Sequence, residues 1–334
     1  MLALRHYLPL GVATACAVAL SVPAQAAEAS SPGPSVAAIV QSATPATVAN
    51  VSGSPLTQSG LETHGVDATT STLPKDPSQG VALAGAGKTM TVSLPQGSKT
   101  PGKQVAQGMV DYPTDRGYST AAVAVQDGSV QLNTVIQNSK APRSYTYEVR
   151  VAGGENLEID QSTGGVTVTD AQHRWVGAAA PAWARDAKGT PVKTWYEVSG
   201  NRLTQHVDLS QPGIVFPVVA DPYWGKALID HTRWANTWKF SPTLQVFPTT
   251  WGRVAPAWAE GAAWTETLQK TARKGHPSPS TASMHVQFSC HWQAVRIRSP
   301  RKPSWDLDSK LPNTSLLNEI NHGCNYGSGA KGEF

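Results

Sequence analysis

Apolar and polar residues alternate with a period of two from Met90 onward, the pattern of strands with one buried and one wet face. Met90, Val92 and Leu94 alternate with Thr91 and Ser93, and Val130, Leu132 and Ile136 follow an Asp127-Gly128 turn. The clearest run is Ser144–Val151, where Tyr145, Tyr147, Val149 and Val151 share one side and Thr146, Glu148 and Arg150 the other. Shorter runs follow: Leu157 with Ile159, Val166 with Val168, Trp195 to Val198, Leu203 to Leu209, and Ile214 to Val219. Between them lie Gly153-Gly154, Gly164-Gly165, Asp186-Ala187-Lys188-Gly189 and Ser199-Gly200-Asn201. Short strands separated by such turn residues predict an antiparallel β-sandwich over residues 89–221.

The pattern changes on either side of that stretch. Residues 27–88 are Ser, Ala, Thr, Pro and Gly with scattered Val, too little apolar surface to offset the entropy of ordering them, and a disordered linker is expected. Residues 222–327 predict a small α+β module. Two strands are expected, Ala227 to Trp234 and Leu244 to Trp251. A helix from Pro256 to Arg273 follows, with Trp258, Ala262, Thr265, Leu268 and Ala272 at helical spacing and Gly275 and Pro277 as its stop. Met284, Val286, Phe288, Cys290 and Trp292 alternate, so a third strand is expected there, and residues 328–334 form a tail. The expected fold class is mainly β.

The first residues set the compartment. One arginine, an apolar run from Tyr7 to Val22 and Ala24-Gln25-Ala26 predict a cleaved signal peptide over residues 1–26, with Cys16 leaving in it. Pro9 and Gly11 interrupt the run, and no integral membrane span is expected after cleavage. The mature chain is therefore expected to be secreted or associated with the cell wall. Its remaining cysteines, Cys290 and Cys324, are expected to form a disulfide. The competing arrangement is a metal site of Cys290, His291, His322 and Cys324. Adjacent residues of a strand point apart and converge poorly on one ion, so neither metal nor cofactor is expected.

Charge adds an asymmetry that the net value of +4 conceals: Lys and Arg number 13 against 16 acids over residues 27–221, and 13 against 7 over residues 222–334. Of 11 Trp, eight lie at or after Trp224, so cations and indoles concentrate together. Arg296, Arg298, Arg301 and Lys302 beside Trp292 and Trp305 are the candidate binding residues. Guanidinium groups match anion geometry and indole faces stack on flat groups. Alternation would put Arg296 and Arg298 on one strand face. The partners expected are an anionic cell-wall polymer, a lipid surface or another envelope protein, with nucleic acid the least favoured. In the competing arrangement the indoles form a small core beside the disulfide and the cations are simply solvated.

Three function classes follow. The favoured one is a non-catalytic binding module of the cell envelope or extracellular space. An alternative is a secreted phosphodiester hydrolase or nuclease-like enzyme using His291 with Arg296, helped by His285, His322, Asp306 or Asp308. The chain has no His-Glu-x-x-His, Gly-x-Ser-x-Gly or phosphate-loop motif, so no catalytic residue is assigned and His291 stays a weak candidate. The third class is a structural interaction protein of the envelope.

Two resemblances complete the reading. A Pro-Val-Val-Ala-Asp-Pro run at 217–222, after the Ser-Tyr-Thr-Tyr-Glu-Val strand, makes residues 90–224 resemble the β-rich N-terminal region of exported actinobacterial proteins, which implies a presentation platform. Trp251 with Arg253, Gln287-Phe288-Ser289-Cys290-His291-Trp292, Lys302-Pro303-Ser304-Trp305-Asp306-Leu307 and Cys324-Asn325 make residues 228–326 resemble the actinobacterial family called domain of unknown function 2599. The chain departs from that pattern at Asp306 and at Lys310-Leu311-Pro312.

Overall fold

Tyr145, Tyr147, Val149 and Val151 are all buried, and Ser144 and Arg150 at the wet positions are exposed. The computed structural model describes residues 34–48, 51, 54–65, 69–85, 87–161, 164–236, 240, 242–255, 257–324 and 326–329. The expected signal peptide, residues 1–26, lies outside the described residues. The strands are β1 (Leu61–His64), β2 (Thr70–Leu73), β3 (Val81–Gly85), β4 (Lys88–Val92), β5 (Lys103–Ala106), β6 (Met109–Pro113), β7 (Tyr118–Ala124), β8 (Val130–Ile136), β9 (Ser144–Val151) and β10 (Glu155–Ile159). They continue as β11 (Val166–Asp170), β12 (Trp175–Ala179), β13 (Trp183–Arg185), β14 (Thr194–Ser199), β15 (Arg202–Val207), β16 (Val218–Asp221), β17 (Tyr223–Gly225), β18 (Ile229–Ala235), β19 (Thr243–Pro248) and β20 (Trp305–Asp308). The α-helices are α1 (Val36–Ala43), α2 (Pro45–Val48), α3 (Thr250–Val254), α4 (Glu260–Lys270), α5 (Ala282–Cys290), α6 (Arg296–Arg298) and α7 (Leu316–Asn321).

The fold is mainly β and its pairings are antiparallel. One sheet runs β1-β2-β3-β4-β9-β15-β14, and the second β10-β11-β12-β17-β8-β7-β6-β5 with β16 bridging β8 and β13. Their inner faces share one core, to which Leu61, Leu83 and Met90 come from the first sheet and Val110, Leu132 and Val168 from the second. Helix α1 covers the outer face of the second sheet, where Val40 packs with Met109, Val123 and Val135. That cover explains why β7 and β8 are buried along their whole length rather than alternately.

Three expectations need correction. Residues 27–88, expected as a disordered linker, supply α1, α2, β1, β2, β3 and the start of β4 from Pro34 onward. Thr63 and Ser71 take fully buried slots beside Leu61 and Leu73. Threonine suits a pleated strand, and the apolar surface that covers this segment comes from partner strands rather than from the segment itself. The strand expected from Met284 to Trp292 is helical instead: α5 runs into a π-helical turn, His291–Val295, and then α6. Met284, Phe288 and Trp292 lie four residues apart, so one helix face buries them as well as a strand would. Thr281 caps α5 by accepting the Met284 N–H at 3.2 Å. The third correction concerns the boundary at residue 222, because β17 pairs with β8 and β12 and therefore closes the sandwich sheet. The predicted helix is present as α4, shorter than expected, and Trp251 sits in α3 rather than at a strand end.

The C-terminal part, with its own sheet β18-β19-β20, shares a core with the sandwich. Trp251, Phe288, Trp292 and Trp305 pack in a cluster that reaches Ala178, with Trp175 and Tyr223 against it. Trp251 acts as a peg: it is 1% exposed, its Nε1 donates to Ser129 Oγ at 3.1 Å, and its ring lies 5.0 Å from that of Tyr223.

The end of β16 buries a carboxyl. Asp221 is fully buried, Gln131 Nε2 donates to its Oδ2 at 2.7 Å, and the Tyr196 hydroxyl donates to its carbonyl at 3.1 Å. Burial pushes the Asp221 carboxyl up to about 7 against the opposing hydrogen bond from Gln131. The folded chain therefore keeps a proton that the unfolded chain, with an ordinary value of 3.8, releases. This contribution is complete below that ordinary value and is lost as pH rises through about 7, by up to about 1.4 kcal/mol per pH unit. Asp221→Asn cannot ionise, so its stability relative to the wild type is expected to climb between about pH 4 and pH 7 and then level off. Urea denaturation of both proteins across that range checks this, and a pH-independent difference would contradict it.

Candidate functional site

The residues expected to form one binding surface are divided between core and solvent. Cys290 and Cys324 are bonded, with Cα atoms 5.6 Å apart across a separation of 34 residues, which removes both thiolates from any metal site with His291 and His322. Trp292 and Trp305 are fully buried, their rings 5.9 Å apart and nearly perpendicular. Arg296 is buried too: its guanidinium lies 4.7 Å over the Trp292 ring and donates to the carbonyls of Trp292 and Ala255. Burial lowers its pKa and the Asp160 carboxylate opposes the shift. Helical geometry turns Arg298 away from Arg296, so Arg298 and Arg301 are exposed while Lys302 is half-buried, 3.5 Å from Asp306.

The histidines are engaged locally. His291 is fully buried, with Nδ1 2.8 Å from the Gln287 carbonyl, and a substrate has no access to it. His285 stacks 4.8 Å from Trp264 with Nε2 3.0 Å from Glu260, and Nδ1 of exposed His322 lies 2.8 Å from the Asn318 carbonyl. The motif residues instead form a frame. Gln287 clamps the backbone of Asp308, accepting its N–H at 2.8 Å and donating to its carbonyl at 3.1 Å, which ties α5 to β20. Arg253 donates to the carbonyls of Pro300 and Lys302 at 2.9 Å and of Pro303 at 3.3 Å, fixing the loop before β20.

The chemistry that could receive a ligand lies elsewhere, where the sandwich meets α4. A cleft of about 970 Å³ is lined by Lys88, Arg174 and Trp175 on one wall, Ala262 and Lys270 on the other, and Lys226 at the junction. Asp170, 2% exposed at the end of β11, organises the first wall. Its carboxylate accepts from Lys88 Nζ, from Arg174 Nε at 2.8 Å, and from the Gln172 and Arg174 N–H groups at 2.9 Å. The Lys88 hydrogen bond is the main reason the Asp170 carboxyl stays well below the usual range. On the second wall α4 sets Glu266 one turn before Lys270, 3.0 Å away, an i,i+4 pair. Glu266 accepts the Leu228 N–H at 2.8 Å, and Lys270 Nζ donates to the Ile229 carbonyl at 2.5 Å. Burial pushes the Glu266 carboxyl up against the pull of Lys270.

Lys226 is held from both ends. Trp175 Nε1 donates to its carbonyl at 2.9 Å, and its own Nζ donates to the Lys88 carbonyl at 2.7 Å. Burial, and then the nearby Lys88 charge, lowers its amine to about 8. Lys88, Arg174, Lys226 and Lys270 thus line the cleft with Glu266, Asp170 holding Lys88 and Arg174, beside an apolar surface of Trp175, Val176 and Ala262. The i,i+4 spacing of Glu266 and Lys270 is legible in the sequence. No spacing ties Lys88, Arg174 and Lys226 together, because three separate segments bring them to one place.

Comparison with known proteins locates the C-terminal part. Residues 229–327 match the family described as "Protein of unknown function (DUF2599)". The uncharacterized protein Rv0477 of Mycobacterium tuberculosis is 40% identical over 123 residues, covering 33% of this chain and 79% of the relative. The chain belongs to the DUF2599 family. An uncharacterized protein of Mycobacterium bovis, Mb0487, matches with the same identity and coverage, and ML2452 of Mycobacterium leprae is 30% identical over 110 residues, 32% of this chain and 85% of the relative. No solved structure matches. The DUF2599 stretch supplies the α4 wall of the cleft, and the facing wall precedes it in the chain. Among the described residues no helix is long and apolar enough to cross a membrane.

Proposed function

We propose that this DUF2599 protein is an exported, non-catalytic binding protein whose cleft takes a small anion with an apolar body. The observation that carries this reading is the excess of cations over carboxylates around a cavity of about 970 Å³ with an indole on its wall. Such a volume suits a small organic ligand, and partial exclusion of water strengthens charge recognition there. The signal-like start at residues 1–26 and the buried Cys290–Cys324 bridge support a secreted or wall-associated location, since disulfides persist in oxidising compartments. Exposed Arg298 and Arg301 add a general attraction to an anionic wall polymer.

The test pairs two probes of opposite charge, para-toluate and para-methylbenzylamine, followed by calorimetry and by Trp fluorescence. The anion is expected to bind and the amine not to. Arg174→Gln with Lys226→Met should weaken the anion by about tenfold or more, as should the loss of two charged hydrogen-bond donors. Affinity should fall as pH rises through about 8, because Lys226 then loses its charge. It should also fall with added salt. Equal binding of both probes, or of neither, would overturn the reading.

A further inference from the structure

Lys226 differs from the other cations of the cleft. Lys88 and Arg174 are committed to Asp170, and Lys270 to Glu266 and the Ile229 carbonyl, whereas the Lys226 side chain meets a carbonyl of the adjacent wall. Its backbone lies in the short connection between β17 and β18, pinned by the Trp175 indole and, two residues on, by the bond from the Leu228 N–H to Glu266. The charged and titratable groups that line the cleft with it are Lys88 from β4, His173 and Arg174 from the turn after β11, and Glu266 and Lys270 from α4, with Asp170 at the end of β11 bound to Lys88 and Arg174. An amine so placed is pressed toward its neutral form by burial and by a like charge, and the Arg174 guanidinium lines the same cleft. Desolvation beside a second cation is how proteins make lysine nucleophilic at moderate pH.

We propose that Lys226 is a carbonyl-capture site, forming a reversible imine with an aldehyde-bearing anion held in the cleft. The neutral Nζ lone pair adds to the carbonyl carbon, and the carbonyl oxygen takes up a proton to give a carbinolamine. Loss of the nitrogen proton and of hydroxide, together one water, then gives the C=N bond. Hydrolysis returns the aldehyde and the amine, so no oxidant or reductant is consumed. This assignment rests on the reading of the cleft as an anion site.

The two can be tested apart with one set of probes. The full chain is incubated with para-formylbenzoate, trapped with cyanoborohydride, and mapped by peptide mass spectrometry. Lys226 is expected to carry about tenfold more label than exposed Lys188, and neutral benzaldehyde should not reproduce that preference. Labelling at Lys226 should rise as pH approaches about 8, opposite to the trend for para-toluate affinity. Label spread over surface lysines according to exposure would overturn the imine and leave the anion reading to the para-toluate result. Failure of para-toluate to bind would overturn the anion reading, and with it the assignment of Lys226.

Discussion

Cys324→Ser is expected to lower the stability of the protein by about 4 kcal/mol, the loop-closure value for a bridge that spans 34 residues. That is a large fraction of the stability of an ordinary domain. Both cysteines sit in the core with Phe288, Trp292 and Trp305, so the new hydroxyl would also be buried among apolar groups. The bridge joins the end of α5 to the residues after α7, and α7 is too short to persist alone. Hydrogen exchange should therefore rise first in α7 and α5 while β7 and β8 stay protected. A Cys290→Ala/Cys324→Ala double variant separates the lost constraint from the buried hydroxyl and should recover only part of the loss. An unchanged denaturation midpoint in both variants would mean that packing alone holds the chain end.

Gly225→Ala should be nearly as damaging, for a different reason. A Cβ at Gly225 would fall within the indole ring of Trp251, against Nε1, Cδ1 and Cε2. The ring cannot step aside cheaply, since Ser129 holds its nitrogen and Tyr223 packs on it. Overpacking of this kind costs about 3 kcal/mol. The loss should fall on the seam between sandwich and DUF2599 part, broadening or splitting the thermal transition and weakening para-toluate at the neighbouring Lys226. Trp251→Leu makes room, so the Gly225→Ala/Trp251→Leu pair should cost less than the sum of its parts. Simple additivity would show that the two residues do not meet.

Residues that answer to a single local pattern were legible in the chain. Tyr145, Tyr147, Val149 and Val151 announce both β9 and its inner face, and the pairing of Cys290 with Cys324 was legible from the cysteine count once export was expected. Met284 to Trp292 misled because spacing of two and spacing of four coincide at Met284, Phe288 and Trp292, while buried Gln287 and His291 are explained only by their bonds to other backbone. The motif residues were legible as a family pattern, but Gln287, Arg253 and Trp305 turn out to build the frame. The cleft was hidden for a different reason. Lys88, Arg174, Lys226 and Lys270 lie far apart in the chain, and only the antiparallel ladder and the docking of α4 bring them around one space.

The meander from β1 to β4 guards the flank of its sheet. β4 lies along β9, with Met90 opposite Val151 and Val92 opposite Val149, and the row of strands then ends at four-residue β1, whose outward Glu62 and His64 are exposed. Were those strands absent, the backbone of β9 would be a bare rim able to recruit the same rim of another molecule. A stubby, charged last rung is a poor template for strand addition, so the plain Ser- and Thr-rich front of the chain is what closes off that rim.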